Sequence, residues 1–342
     1  MTLSLLLVVL IVGVALIFDF LNGFHDSANS IATIVSTRVL SPKYAVVWAA
    51  FFNFIAAFVL GVGVAKTVAK TLHPSVANNE TVLAALLGAI VWDLLTWYYG
   101  IPSSSSHALI GGLVGAGMTS ANFSASVVNW GEVEKPLLGI FLAPTLCLGL
   151  GFLTMLAILW LCREMHPGPL NRLFKKLQLV SSGVYSLSHG GNDAQKTIGV
   201  ICFLLVGQGY LDESRLAAGQ IPLWIILCAY LAIGLGTLSG GWRIVKTMGS
   251  KITKLRPVDG FAAETAGGVL IIAFTELKMP VSTTHSIAGA IMGVGSTKRL
   301  SAVHWGISAR ILWAWLLTIP ASAAVACLSY LVLHPLVKLC GG

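Results

Sequence analysis

One short polar pattern occurs twice in this chain. It reads GFHDSANS at 23–30 and GGNDAQKT at 190–197. A second pattern follows each copy, PSSSSH at 102–107 and PVSTTH at 280–285. Trp130-Gly131 and Trp305-Gly306 recur in the same order, as do Pro144 and Pro320. The chain is therefore two copies of one unit. Each copy sets acids, amides, hydroxyls and histidines inside otherwise apolar sequence. Internal duplication with polar interruptions of membrane spans is the pattern of secondary transporters. The predicted architecture is an all-α polytopic membrane protein with two inverted-topology repeats, discontinuous helices and Ser/Thr-tipped helical hairpins.

The membrane assignment rests on composition and run length together. Hydrophobic residues make up 56% of the chain and charged residues 10%, where soluble domains carry roughly 25% charge. Apolar runs such as Tyr44–Ala65, Thr81–Tyr99, Leu137–Leu161 and Ile311–Leu333 reach the roughly 20 residues a helix needs to cross hydrocarbon. The ten-residue alternation of an outer-membrane barrel is absent. Leu3–Phe18 lacks a basic region before it and runs straight into the first motif, so it is not read as a cleaved signal. The net charge of +8 comes from basic residues in short loops. That is positive-inside bias, not a nucleic-acid surface. The six cysteines show no CxxC or zinc spacing, and neither a resident metal nor a cofactor is predicted.

Loop charge gives the domain organisation. Residues 163–177 carry Arg163, Arg172, Lys175 and Lys176 against Glu164 and form a cytoplasmic basic linker. It divides a first transmembrane repeat, 1–162, from a second, 178–342. The acid-free basic stretch 243–256 is also cytoplasmic, and 207–221, with Asp212, Glu213 and Arg215, is external. The loop of the first half that matches 207–221 holds Arg38 and Lys43 and no acid. The bias inverts between matching loops, which predicts inverted insertion of the two halves, with both termini outside. The segments 81–99 with 103–118, and 261–277 with 282–295, fit either two full spans or a re-entrant hairpin. The polar tips favour the hairpin, because irregular backbone at membrane depth needs protein or water around it.

In the first motif Asp19, Asn22, Asp26, Asn29 and Thr33 recur every three or four residues, one polar stripe on a helix. Gly23 within it permits local unwinding. The second copy matches with Ser186, His189, Gly190, Asp193, Lys196 and Thr197. An ionised side chain at mid-bilayer costs roughly 2.5–3.5 kcal/mol on insertion scales. Repetition of such groups favours a central site shared by both halves over a buried structural network. Pro102 and Pro280 suit helix starts, followed by the hydroxyls of Ser103–Ser106 and Ser282–Thr284. Free N–H groups, the positive dipole end and hydroxyls together make an anion cradle without arginine. A simple N-cap would need one such residue, not a series. His107 and His285 follow the tips and suit either packing or a proton role. Asp93, Glu264 and Glu276 lack symmetric partners and are local salt-bridge or gating candidates. Trp92, Trp97, Trp313 and Trp315 are assigned to interfacial belts or packing surfaces.

These paired motifs resemble those of the inorganic phosphate transporter (Pit) family, whose members carry a G-x-N-D-x-A-N-type signature and a P-S/T-rich-H segment in each of two inverted repeats. The likeness runs from Phe18 to about Pro320. It implies a multi-pass bacterial inner-membrane protein, a homodimer, that binds inorganic phosphate between the repeats. The implied ligands are Asp26, Asn29, Ser103, Ser104, Ser105 and Ser106 on one side. On the other they are Asn192, Asp193, Ser282, Thr283 and Thr284.

The chain departs from the pattern at His25, Gln195 and Lys196. Sodium-coupled members would be expected to use amide and carboxylate oxygens at that place, and a lysine offers none. The expected activity is therefore phosphate import by proton rather than sodium symport. Its coupling group is Lys196 with Asp193, assisted by His25 and His189. The alternative is that Lys196 stays charged and simply neutralises Asp193 or the phosphate. The QKT sequence also resembles the low-affinity bacterial permeases, some of which take a neutral metal-phosphate complex. A sulfate permease is the nearest rival, but carboxylates at the site accept a proton from phosphate and repel sulfate. A sodium-coupled phosphate symporter is a second. A membrane phosphatase is faintly suggested by PSSSSH, yet no arginine clamp lies near and hydrolysis gives no reason for duplication. No enzymatic activity is expected.

Overall fold

The computed structural model describes residues 3–340. Thirteen α-helices and no β-strand occur among the described residues. The first half comprises α1 (Leu3–Ser36), α2 (Pro42–Val59), α3 (Gly63–Ala69), α4 (Asn79–Tyr99), α5 (Ser105–Ser120) and α6 (Trp130–Leu161). The second comprises α7 (Pro167–Gly207), α8 (Glu213–Ala218), α9 (Leu223–Ser239), α10 (Trp242–Lys246), α11 (Pro257–Glu276), α12 (Thr283–Ser296) and α13 (Trp305–Cys340). Apart from α8, the order repeats: a long motif helix, a span, a short helix, a helical pair around the Ser/Thr tip, and a final long helix.

Among the described residues, six helices are long and apolar enough to cross a membrane: α1, α2, α4, α6, α11 and α13. A seventh crossing would be α9 with α10 and the π-turn after it, bent by 60° at Gly240-Gly241. Local sequence sets the ends. Pro42, Pro167 and Pro257 stand in first turns, where a missing N–H costs nothing. The Asn78 side chain caps α4 by accepting from the Thr81 N–H at 2.8 Å. Gly100 closes the same helix at φ 65°, a left-handed conformation that favours glycine.

Two expectations are corrected. α1 and α7 run unbroken through Gly23 and Gly190, so neither glycine unwinds its helix. Each instead permits close contact. A Cβ at Gly23 would fall on the Ile233 carbonyl oxygen of α9, and one at Gly190 on the backbone of Asn53 in α2. The basic linker is mostly helix. α7 begins at Pro167, so Arg172, Lys175 and Lys176 lie on its first turns. The helical pairs remain short on their second arms, 16 residues in α5 and 14 in α12.

The halves interleave. α5 packs chiefly on α13, and α12 on α6; α1 packs chiefly on α9. Small residues make this possible. Gly111 and Gly115 of α5 abut the backbone of Ile319 and Ala323 in α13, while Gly289 and Gly293 of α12 abut Pro144 and Leu148 in α6. Lipid is as apolar as a leucine side chain, so close backbone approach and van der Waals packing, not the hydrophobic effect, hold such helices together. Gly293→Val should therefore separate α12 from α6. Overpacking costs about 1–3 kcal/mol, and here the obstacle is backbone. We expect a lowered melting temperature and loss of the monodisperse peak on size exclusion. Gly13, with nothing within 4 Å of its Cβ position, is the matched control, and equal behaviour of the two valine variants would refute this account of the contact.

Candidate functional site

The motif stretches of α1 and α7 meet the N-termini of α5 and α12 inside the helix bundle. Each Ser/Thr tip uses one residue as a cap. Ser104 accepts from the His107 N–H at 3.2 Å, and Ser282 from the His285 N–H at 3.2 Å. The other hydroxyls are bonded to the site around them: Ser105, Ser106, Thr283 and Thr284 to side chains of the motif helices and Ser103 to Thr96 of α4, alongside the first N–H groups of α5 and α12.

Around Asp26, the His25 imidazole Nδ1 lies 2.6 Å from Oδ1, and the Ser105 hydroxyl donates to the same oxygen at 3.5 Å. The opposite ring nitrogen of His25 lies 3.1 Å from Thr96 Oγ1 and 3.4 Å from Ser103 Oγ. Around Asp193, Lys196 Nζ donates to Oδ1 at 2.5 Å, the Thr283 hydroxyl donates to Oδ2 at 3.2 Å, and His189 Nε2 lies 3.2 Å from Oδ2. The ammonium of Lys196 is saturated, because it also donates to the Val281 carbonyl at 3.0 Å and to the Ser106 hydroxyl.

The two halves are stitched crosswise. Asn29 of α1 donates to Thr283 and Thr284 of α12 at 3.2 and 2.9 Å. Lys196 of α7 reaches Ser106 of α5. Asn192 sits at the edge, donating to Thr275 Oγ1 at 2.9 Å and accepting from the Val281 N–H at 3.4 Å. Donor atoms of Asp26, His189 and Asp193 all lie within 4.8 Å of one another. Asp26 is 2% exposed, Asp193 0% and Lys196 2%, so this conformation seals the site from both faces. The cluster pairs fixed donors (hydroxyls, helix N-termini, one ammonium) with two carboxylate acceptors. That set suits a tetrahedral oxyanion that still carries a proton.

All the residues expected at the site converge here, with Ser104 and Ser282 spent on capping and Asn192 peripheral. Reading the sequence missed the supports. Asn53 of α2 lies 3.2 Å from His189 Nδ1 and donates to Thr237 at 2.8 Å. Tyr185 donates to the Thr283 carbonyl at 3.0 Å. Gln195 accepts from the Val64 and Ala65 N–H groups at 2.8 and 3.4 Å and so caps α3. Asn53 was visible as the one amide in an apolar run. Glu264 makes no salt bridge; it accepts from Gln178 and Ser181. Glu276 is exposed. Both Asp93 oxygens are buried without a hydrogen-bond partner. His107 and His285 face each other at 4.9 Å between ring centroids, and His285 stacks on Trp315 at 3.9 Å.

The profile of the phosphate transporter family matches residues 22–326. The chain is 52% identical to a probable low-affinity inorganic phosphate transporter of Rhizobium meliloti (strain 1021), over 96% of this chain and 97% of that protein. It is 42% identical to a protein of the same description from Bacillus subtilis (strain 168), over 98% of this chain and 99% of the other. Among solved structures, the sodium-dependent phosphate transporter superposes with a TM-score of 0.86. That match covers 96% of this chain and 99% of that one, at 24% identity.

Proposed function

The chain belongs to the phosphate transporter family, and from that premise we propose that it imports inorganic phosphate by proton symport, as a homodimer. It is a multi-pass protein of the plasma membrane. The phosphate oxygens take the hydroxyls of Ser103, Ser105, Ser106, Thr283 and Thr284 and the N-termini of α5 and α12. Asn29 positions the second tip. Asp26 and Asp193 accept the phosphate's own proton, which favours phosphate over sulfate at neutral pH. Opposite charge in the matching loops at Arg38-Lys43 and Asp212-Glu213 supports inverted insertion of the two halves.

The observation that carries proton coupling is the engagement of Lys196. Its ammonium draws on an oxygen of Asp193, the Ser106 hydroxyl and the Val281 carbonyl, oxygens that a sodium ion there would need as ligands. A tethered cation stands in for a diffusible one. Three acceptors for three N–H groups support a lysine that remains charged, with His25 and His189 orienting the two carboxylates. Uptake into proteoliposomes should follow an inward proton gradient, collapse with a protonophore and ignore sodium. Sodium-dependent uptake that survives the protonophore would overturn the reading.

The convergence of Asp26, His189 and Asp193 favours a second reading of the substrate. Two carboxylates and one ammonium leave the site net negative, and a divalent cation arriving with phosphate would offset the anion's charge. The same vesicles assayed with and without magnesium separate free phosphate from a metal-phosphate complex.

A further inference from the structure

We propose that Asp19 carries the coupling proton. This rests on the proton-symport reading and assigns its proton to one side chain. Asp19 lies on α1, two turns before Asp26 and on the same face. It is fully buried, and neither carboxyl oxygen has a hydrogen-bond partner. The Asn22 carbonyl and the Thr197 hydroxyl, its near neighbours from α1 and α7, are likewise buried and unpartnered.

A buried ionised carboxylate needs donors or a counter-charge. No hydrogen bond reaches either of its oxygens, and the side chains of Thr197 and Asn22 are the only nearby groups other than Lys196 that would favour its charged form. The nearest ammonium, Lys196, has its N–H groups committed to Asp193, Ser106 and Val281. The ionisable groups that face Asp19 are Asp193 and Lys196 from α7 and Tyr230 from α9, with Asp26 further along its own helix. Asp93 of α4 faces His25 and Asp26 instead. α2 contributes only Lys43 and Tyr44, at its exposed start. In the sealed conformation Asp19 therefore holds its proton.

The duplication breaks at this position. The second half has Ser186 here, and that hydroxyl donates to its own helix, to the Ser182 carbonyl at 2.8 Å. One acid, not two, stands at this level. The proton exchange is simple. A hydronium from the outer side gives its proton to a carboxylate oxygen, forming an O–H bond; on the inner side that bond breaks and the proton passes to water. No electrons move.

Lys196 links this step to phosphate. An ionised Asp19 draws the ammonium toward itself and away from Ser106 and Asp193, which opens the joint between α7 and the first tip. A neutral Asp19 leaves Lys196 on the phosphate site. Protonation and phosphate occupancy thus favour one another.

The test uses the full-length protein in proteoliposomes, unmodified and as Asp19→Asn and Asp19→Ser. Two measurements are made with radiolabelled phosphate: accumulation driven by an inward proton gradient, and exchange at equal phosphate and equal pH. In the variants, driven accumulation should fall to the level of protein-free vesicles while exchange persists in at least one. Persistent exchange also reports a folded site. Driven accumulation in either variant, or loss of exchange in both, would overturn the assignment. If the unmodified protein itself shows no proton-driven uptake, proton symport fails and this inference with it. If the unmodified protein and the variants are all proton-driven, symport stands and only the placement of the proton is wrong.

Discussion

Asp193→Asn is expected to abolish phosphate uptake, and Asp26→Asn to do the same. Asp193 is the counter-charge of Lys196 at 2.5 Å inside a sealed site. Removing one partner of a buried ion pair costs about 3–5 kcal/mol, because the other charge is left uncompensated. The loss should appear both as less folded protein and as no transport, and a second variant separates these. Asp193→Asn with Lys196→Met removes the stranded ammonium and should recover folded protein without recovering uptake. Asp26 has a different task. Its Oδ1 takes His25 at 2.6 Å, which leaves the other oxygen to accept the phosphate proton. An amide cannot offer the same pair of acceptors, so Asp26→Asn should insert normally and still fail. Uptake near the unmodified level in either single variant would remove that carboxylate from the mechanism.

The second large effect is expected at the tips. Thr283→Val with Thr284→Val keeps shape and deletes two hydroxyls. Thr283 bonds both Asp193 and Asn29, and Thr284 accepts from Asn29. Hydrogen bonds to charged groups contribute about 1.5–3 kcal/mol each, and about 1.4 kcal/mol is a factor of ten in affinity. Phosphate affinity measured by calorimetry should fall by about two orders of magnitude or more. Ser105→Ala with Ser106→Ala should act similarly from the other tip. Ser282→Ala is the contrast: it removes a cap, worth about 0.5–2 kcal/mol of stability, and should leave binding nearly unchanged. Unaltered affinity in both double variants would reduce the tips to structural caps.

What could be read in advance divides along one line. Groups repeated in both copies, such as Asp26 with Asp193 or Ser103–Ser106 with Ser282–Thr284, stood out because a polar residue in an apolar span needs a reason, and twofold recurrence supplies one. Residues that act once gave no such signal. Thr96 and Asn53 hold His25 and His189 from helices without a motif, and only the tertiary arrangement brings them there. Local sequence marks Gly23 as a point of unwinding, and it cannot show the Ile233 carbonyl that fills the place of the missing side chain. The start of α7 is legible in the sequence: Pro167 is a good first-turn residue, and the charges after it suit a helix face as well as a loop. Which serine of four caps α5 depends on backbone geometry alone.

A ribosome delivers α5 long before α13, yet α5 lies against α13, and α6 must wait for α12. Synthesis proceeds from the N-terminus, so the first half enters the bilayer with its glycine-lined surfaces unmatched and with Asn29 lacking its partners on the second tip. It cannot mature as a separate folding unit. The nascent first half must be kept from false partners, other copies of itself above all, until the second half arrives. Interleaving thus ties the quality control of the phosphate site to completion of the chain, because a prematurely terminated product lacks the tip, the lysine and the long final helix that close it.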